Sequence, residues 1–159
     1  MRRSTSNRCW PGTGPRESGK HDRPRAVVKK LALIESCLSD LRQLAQPEAL
    51  ATDVREQRFV EHRLQVAIQA ALDVASHIVS DRRLGEPRTN RELFDLLQRD
   101  GWIEDPLAST LRNMAGFRNV LVHGYDDVDL AVVRDVLDNH LGDLDGFVGV
   151  VRRRLPSGR

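Results

Sequence analysis

Met114-Ala115-Gly116-Phe117-Arg118-Asn119-Val120-Leu121-Val122-His123-Gly124-Tyr125 forms the second half of a stretch that reads as one helix. Leu107, Leu111, Met114 and Leu121 recur at helical spacing and make a single apolar face, and Gly124 stands where a helix stop belongs. Arg118 falls on that face, between Met114 and Leu121. An unpaired buried charge is very costly, so this arginine calls for a partner or a wet cleft. His123 follows five positions later. At roughly 100° per residue that is about 140° around the helix, so an ideal helix does not bring the two side chains together. Convergence requires the helix to end near Val122, or a second copy of the chain. An arginine can hold a phosphate, a histidine can move a proton near neutral pH, and Tyr125 carries a nucleophilic hydroxyl. Together they suggest chemistry on a phosphodiester. A plainer reading competes: an Arg and a His near a helix end also neutralise the dipole and bond its last carbonyls. Spacing alone does not separate the two.

Outward from this segment the pattern stays helical. Leu31, Ile34, Leu38, Leu41 and Leu44 trace a stripe that begins after Val27 and ends near Gln46-Pro47. A longer helix is predicted from near Asp53, with Asp53 and Glu56 as a capping pair. Phe59 or Val60, Leu64, Ile68, Leu72, Ala75 and Val79 supply its apolar face, and Arg82-Arg83-Leu84-Gly85-Glu86-Pro87 stops it. Thr89 caps a short helix with Glu92 in the capping-box position, and Gly101 ends it. Asp105-Pro106 opens the motif helix, with proline at the favoured first position. Asp126, Asp127 and Asp129 favour the start of a last helix, along which Leu130, Val133, Leu137, Leu141, Leu144, Val148 and Val151 recur. Nothing alternates with period two for long enough to read as a sheet, and no repeat of 20 to 50 residues is visible. The expected fold is an all-α bundle of about five helices.

The composition of the 159 residues sets the outer bounds: one domain, 30% charged, 4% aromatic. No apolar run approaches the ~20 residues of a membrane span, and the start lacks the apolar core of a secretory signal. Cys9 and Cys37 form neither a metal spacing nor a disulfide framework, which fits a reduced cytoplasm. The net charge of +2 hides an asymmetry. Residues 1–26 carry seven Lys/Arg and two Asp/Glu, net +5; the other 133 carry 18 and 21, net −3. The body therefore lacks the footprint of a protein that coats nucleic acid without regard to sequence. Residues 1–26, rich in Arg, Gly, Pro and Ser, read as a disordered basic leader, of the kind a start codon assigned upstream of Val27 would produce; a basic RNA-binding arm is the other reading. Residues 27–154 form the expected domain and residues 155–159 a short tail.

The segment Met114 to Tyr125 resembles the signature of the HepT toxins, a branch of the HEPN ribonuclease superfamily: Arg, four residues, His, any residue, Tyr, usually with Asn after the Arg. All of those positions match. Leu64 to Val79 is similar to the family's central helix, and Arg91-Glu92-Leu93-Phe94-Asp95-Leu96-Leu97 to the short helix after it. The resemblance covers about residues 27 to 150. It implies a HEPN-type helical bundle and metal-independent RNA cleavage, in which a ribose 2′-hydroxyl attacks its own phosphate and leaves a cyclic phosphate and a free 5′-hydroxyl. His123 would move protons, Arg118 would hold the phosphate oxygens, and Asn119 would orient its neighbours or donate one bond. The resemblance further implies a homodimer or higher oligomer with the two sites close together at the interface. It also implies an MntA-type nucleotidyltransferase antitoxin that transfers AMP from ATP to Tyr125. A nucleotide there would place charge and bulk where the RNA phosphate must sit. The chain's one tyrosine could instead simply pack a helix end.

The remaining candidates are weaker. Asp73 and His77 stand four apart on the central helix and could support the catalytic residues from behind; a helix-surface or interface salt bridge is the competing reading. His62 reads as solvated, His21 lies in the leader, and His140 sits beside the stripe of the last helix as a core or interface histidine. No metal spacing, Gly-rich phosphate loop or nucleophile elbow is present, and no cofactor is expected. The leading expectation is a toxin endoribonuclease. Its rival is a non-catalytic HEPN-type nucleotide-binding or scaffold partner of a nucleotidyltransferase. A third reading, a generic helical interaction module carried by the last helix, leaves Arg118 unexplained.

Overall fold

The computed structural model describes residues 19–124 and 127–156, and every regular element among them is helical. In chain order these are α1 (Gly19–Leu44), a 3₁₀ turn (Pro47–Ala49), α2 (Val54–Asp81), α3 (Asn90–Arg99), α4 (Leu107–His123), α5 (Leu130–Asp135), a π turn (Val136–His140) and α6 (Leu141–Arg154). The last three follow without a break and act as one helix, so the bundle has five, as expected.

α1 and α2 form an antiparallel pair. Their register is visible in three cross-links: Arg23 to Asp81 at 2.7 Å, Lys30 to Asp73 at 2.7 Å and Arg63 to Asp40 at 3.1 Å. Between them the apolar stripes meet, with Leu31, Ile34, Leu38, Leu64, Ile68 and Val74 essentially without solvent contact. α6 lies antiparallel along α1, tied by Arg42 to Asp145 and by Arg152 to Glu35. α3 packs on α2 and α4. At the centre Phe94 of α3 meets Phe147 of α6 edge-to-face, with centroids 5.9 Å apart and planes at 88°. Such a pair contributes about 0.5–1.5 kcal/mol beyond its buried area.

Several boundaries differ from the sequence expectation, each for a local reason. α1 begins at Gly19, so residues 19–26 are helical rather than part of a disordered leader. Arg23 clamps this extension to the end of α2, and Val27 is buried beneath it. Leu44 is 59% exposed, because the chain leaves the core there to enter the turn. Asp53 caps α2 as expected, accepting from the Arg55 N–H at 2.8 Å. Glu56 does not complete a capping box: the Asp53 N–H already donates to the Ala49 carbonyl at 2.8 Å, and Glu56 accepts from the Gln46 N–H instead. Pro106 is the N-cap of α4 rather than its first residue. The capping oxygen comes from Asp105, which accepts from the Ser109 N–H at 3.1 Å and its hydroxyl at 2.7 Å. Those bonds, the hydroxyl's foremost, hold the Asp105 carboxyl below the usual carboxylate range. Asp129 caps α5 as expected, through the Ala131 N–H.

Candidate active site

α4 reaches the site end of the bundle with two unlike faces. Ala108, Leu111, Met114 and Ala115 are buried, whereas Asn113, Asn119, Val120 and His123 are exposed. Arg118 follows Met114 by one turn, so its stem runs along the buried side. Its Nε is buried and has no hydrogen-bond partner among the described residues. Its Nη1 reaches Asn119 Oδ1 at 3.4 Å. The guanidinium is thus held by one long bond, with its remaining donors uncommitted.

His123 is the last residue of α4 and is exposed. The Gly124 N–H still closes on the Val120 carbonyl at 2.8 Å, so helical geometry persists through His123. The stop itself is not left-handed, since Gly124 has φ −92° and ψ 45°. Glycine is needed there for another reason: a β-carbon would stand 2.7 Å from the Val120 carbonyl oxygen. With the helix intact through His123, its side chain and that of Arg118 point about 140° apart, and the chain alone does not converge them. Tyr125, the expected modification site, lies outside the described residues, as does Asp126.

Asp73 and His77 line a different opening. Asp73 accepts from Lys30 at 2.7 Å and Gln69 at 2.9 Å. Together with His77, Arg23, Ser76 and Asp81 they border an open cavity of about 580 Å³ in the groove between α1 and α2, and no residue of the Arg118–His123 motif borders it. His140 is neither a core residue nor unbonded. Its ring nitrogens contact Asp143 at 2.9 Å and Asp135 at 3.2 Å, and the Asp143 bond foremost raises its pKa above the ordinary 6.5. His62 is exposed, as expected.

Two features beside the motif were not foreseen. The first is a cavity of about 210 Å³ under the end of α4, bordered by Leu121, Val122, Arg58, Glu61, His62 and Gln65. Glu61 is 7% exposed and is held by Gln57 at 2.8 Å and Arg58 at 3.3 Å. The Gln57–Glu61 spacing of four on the long helix was the available signal. The second is Arg91, whose guanidinium lies against Gly116. Among the described residues no group of three or more His, Cys, Asp and Glu side chains is arranged to hold a metal ion, and no helix is long and apolar enough to cross a membrane.

The fold is a five-helix bundle that presents an Arg-Asn pair and an exposed His at the end of one helix. The family model described as "Ribonuclease HepT-like" matches residues 34–151, and the chain belongs to that family. It is 32% identical over 127 residues to the mRNA nuclease HepT of Shewanella oneidensis, covering 79% of this chain and 96% of that protein. It is also 32% identical over 108 residues to the tRNA nuclease HepT of Aphanizomenon flos-aquae, covering 67% and 74%. Among solved structures it is similar to a tri-AMPylated Shewanella oneidensis HEPN toxin in complex with an MNT antitoxin, with TM-score 0.76, 32% identity and coverage of 81% and 98%. A toxin–antitoxin structure with AMP-PNP matches with TM-score 0.78 and 30% identity, covering 82% and 99%.

Proposed function

We propose that this protein is the toxin of a toxin–antitoxin pair, an endoribonuclease that cleaves RNA by 2′-hydroxyl attack without a metal ion. The observation that carries the reading is Arg118: a guanidinium on an apolar helix face, Nε buried and without a partner, one residue from Asn119 and five from an exposed histidine. Folding gives no reason for that arrangement, whereas a phosphate does. The family and the nuclease names of its relatives support the same reading.

In the reaction the 2′-oxygen forms a bond to phosphorus, its proton passes to a base, and the 5′-oxygen leaves with a proton from an acid. Histidine can serve both transfers near neutral pH. Arg118 donates to the non-bridging oxygens as charge builds on the phosphorane, and charge-assisted N–H donors are the strong ones for this purpose. Asn119 holds Nη1 of Arg118 in position. Because α4 keeps Arg118 and His123 on different faces, the working site is assembled from two copies of the chain, with the Arg118 of one set against the His123 of the other. The protein acts in the cytoplasm, where its RNA is.

Control comes from a nucleotidyltransferase antitoxin. The solved relatives supply the pattern, one AMPylated and bound to an MNT antitoxin, the other with AMP-PNP. Here the acceptor is the Tyr125 hydroxyl: it attacks the α-phosphorus of ATP, pyrophosphate leaves, and the bound AMP places negative charge two residues from His123. The test is RNA cleavage in excess EDTA by protein made in a cell-free system, wild type beside His123→Ala, with product ends identified. The expected result is cleavage by wild type only, with cyclic-phosphate ends. Cleavage by His123→Ala, or none by folded, unmodified wild type on several RNA classes, overturns the reading; the latter result favours the nucleotide-binding or scaffold partner.

A further inference from the structure

Arg91 is a charge that its own helix does not favour. It is the second residue of α3, after the Thr89 cap and Asn90, and so sits at the positive end of the helix dipole, where a cation is disfavoured. It is exposed and makes no ion pair or hydrogen bond to the other described residues. Yet its guanidinium is laid against α4. A β-carbon on Gly116 would stand 2.9 Å from its Nη2, 3.2 Å from its Nε and 3.3 Å from its Cζ. Gly116 is itself in the interior of α4, where glycine weakens a helix relative to alanine. Two locally unfavourable choices thus meet in one contact. The packing of α3 on α4 does not need it, because Arg112 of α4 already ties the pair through Asp95 at 3.1 Å and Gln98 at 2.7 Å of α3.

The position on α4 says what the contact is for. Residues three, four and seven along a helix share a face, so Gly116, Asn119, Val120 and His123 lie in one row, half-buried at Gly116 and exposed from Asn119 on. His123 is only about 20° out of line with Gly116 and about 10.5 Å further along the axis. At the ~3.4 Å rise of a helical strand that distance is about three nucleotides, and fewer in an extended strand. We propose that Arg91 binds an RNA phosphate flanking the scissile one and lays the strand along the face of α4 that ends at His123. This rests on the ribonuclease reading. Gly116 is the residue that lets the guanidinium settle onto the helix and point along that row.

The test uses the full chain carrying His123→Ala, so that RNA survives, and a labelled single-stranded RNA oligonucleotide read by fluorescence anisotropy from low to moderate salt. Adding Arg91→Ala is expected to weaken binding about three- to tenfold and to flatten the slope of log affinity against log salt by about 0.7, the share of one single-strand phosphate contact. Arg91→Lys should restore the slope and part of the affinity. Gly116→Ala, which displaces the guanidinium while keeping its charge, should weaken binding with the slope retained. In the otherwise native enzyme, Arg91→Ala should raise KM by a larger factor than it lowers kcat. If the parent binds RNA and both Arg91→Ala and Arg91→Gln match it in affinity and slope, the proposal is overturned and the nuclease reading stands. If the parent binds no RNA and the wild type cleaves none, the nuclease reading fails and takes this one with it.

Discussion

Replacing Arg118 with methionine should make this protein more stable while removing its activity. Arg118 continues the apolar row of Leu111 and Met114, which are 1% and 3% exposed. Its Nε is buried without a partner among the described residues. A buried donor left unsatisfied costs about 1–3 kcal/mol. Only one of the guanidinium nitrogens is in that position, and Nη1 has Asn119, so the lower part of the range applies, about 1–2 kcal/mol. Methionine matches the reach of the stem, fills the same space and carries no donor. For a chain of this size 1 kcal/mol corresponds to about 2–4 °C in Tm, so the variant should melt about 2–8 °C above wild type. The assay is thermal unfolding followed by circular dichroism, with His123→Ala as a reference that changes an exposed residue and should leave Tm near the wild-type value. A Tm equal to or below wild type refutes the reasoning. It would mean that Nε has a partner in the working assembly and that the arginine contributes to folding.

Two further substitutions probe neighbouring parts of the argument. Gly124→Ala puts a β-carbon 2.7 Å from the Val120 carbonyl oxygen and should unwind the last turn of α4, lowering RNA cleavage at least tenfold with little change in Tm; undiminished cleavage would show that His123 does not depend on that helix end. His140→Gln removes a histidine whose pKa is raised above 6.5, by the Asp143 bond first and the nearby carboxylate charges after it. A raised folded value means the stabilisation is complete below the unfolded pKa and disappears as pH rises through the folded one. The gap in urea midpoint between wild type and variant should therefore be widest near pH 6 and narrow in alkaline solution, and a gap independent of pH would contradict the assigned ion pairs.

How far the sequence reaches is decided by the range of the interaction involved. The core positions were legible because burial repeats with the helix period: Leu31, Ile34, Leu38, Leu64, Ile68 and Leu72 are all buried. Caps were legible as positions but not as partners. Asp53 and Thr89 cap their helices, yet Glu56 turns to Gln46, because the Asp53 N–H is already held by the Ala49 carbonyl, and Glu92 turns to the Arg88 N–H. The extension of α1 back to Gly19 was hidden because its polar composition resembles a disordered leader, and what ties it down is Asp81, 58 residues away from Arg23. Of the expected site residues, Arg118, Asn119 and His123 share α4 in the manner their spacing predicts. Asp73 and His77 share α2 but face the groove with α1, a direction that a spacing of four cannot specify. Arg91 and Gly116 could not be paired at all without knowing that α3 docks on α4.

Several residues that break local rules stand on or against α4. Arg118 puts a charge on an apolar row, Gly116 interrupts a helix interior, Gly124 leaves a stop that tolerates no side chain, and Arg91 sets a cation at the wrong end of α3. Arg118, Gly116 and Arg91 are each unfavourable for folding by themselves, by roughly 0.3–3 kcal/mol on the usual scales. The rest of the bundle has many paired surface charges, capped helices and an apolar core. Other elements carry exceptions too, Pro24 inside α1 and Gly142, Gly146 and Gly149 inside α6, so what singles out α4 is that its exceptions involve charge and stand beside an exposed histidine. They also divide by side: the Arg118 Nε is buried toward the bundle, whereas Arg91 and His123 are exposed. A strand laid on the open face meets Arg91 first and His123 at the end. On the proposed mechanism the charge that meets the phosphorane comes from the Arg118 of another chain, so the same geometry that separates the pair in one protomer would make cleavage depend on two.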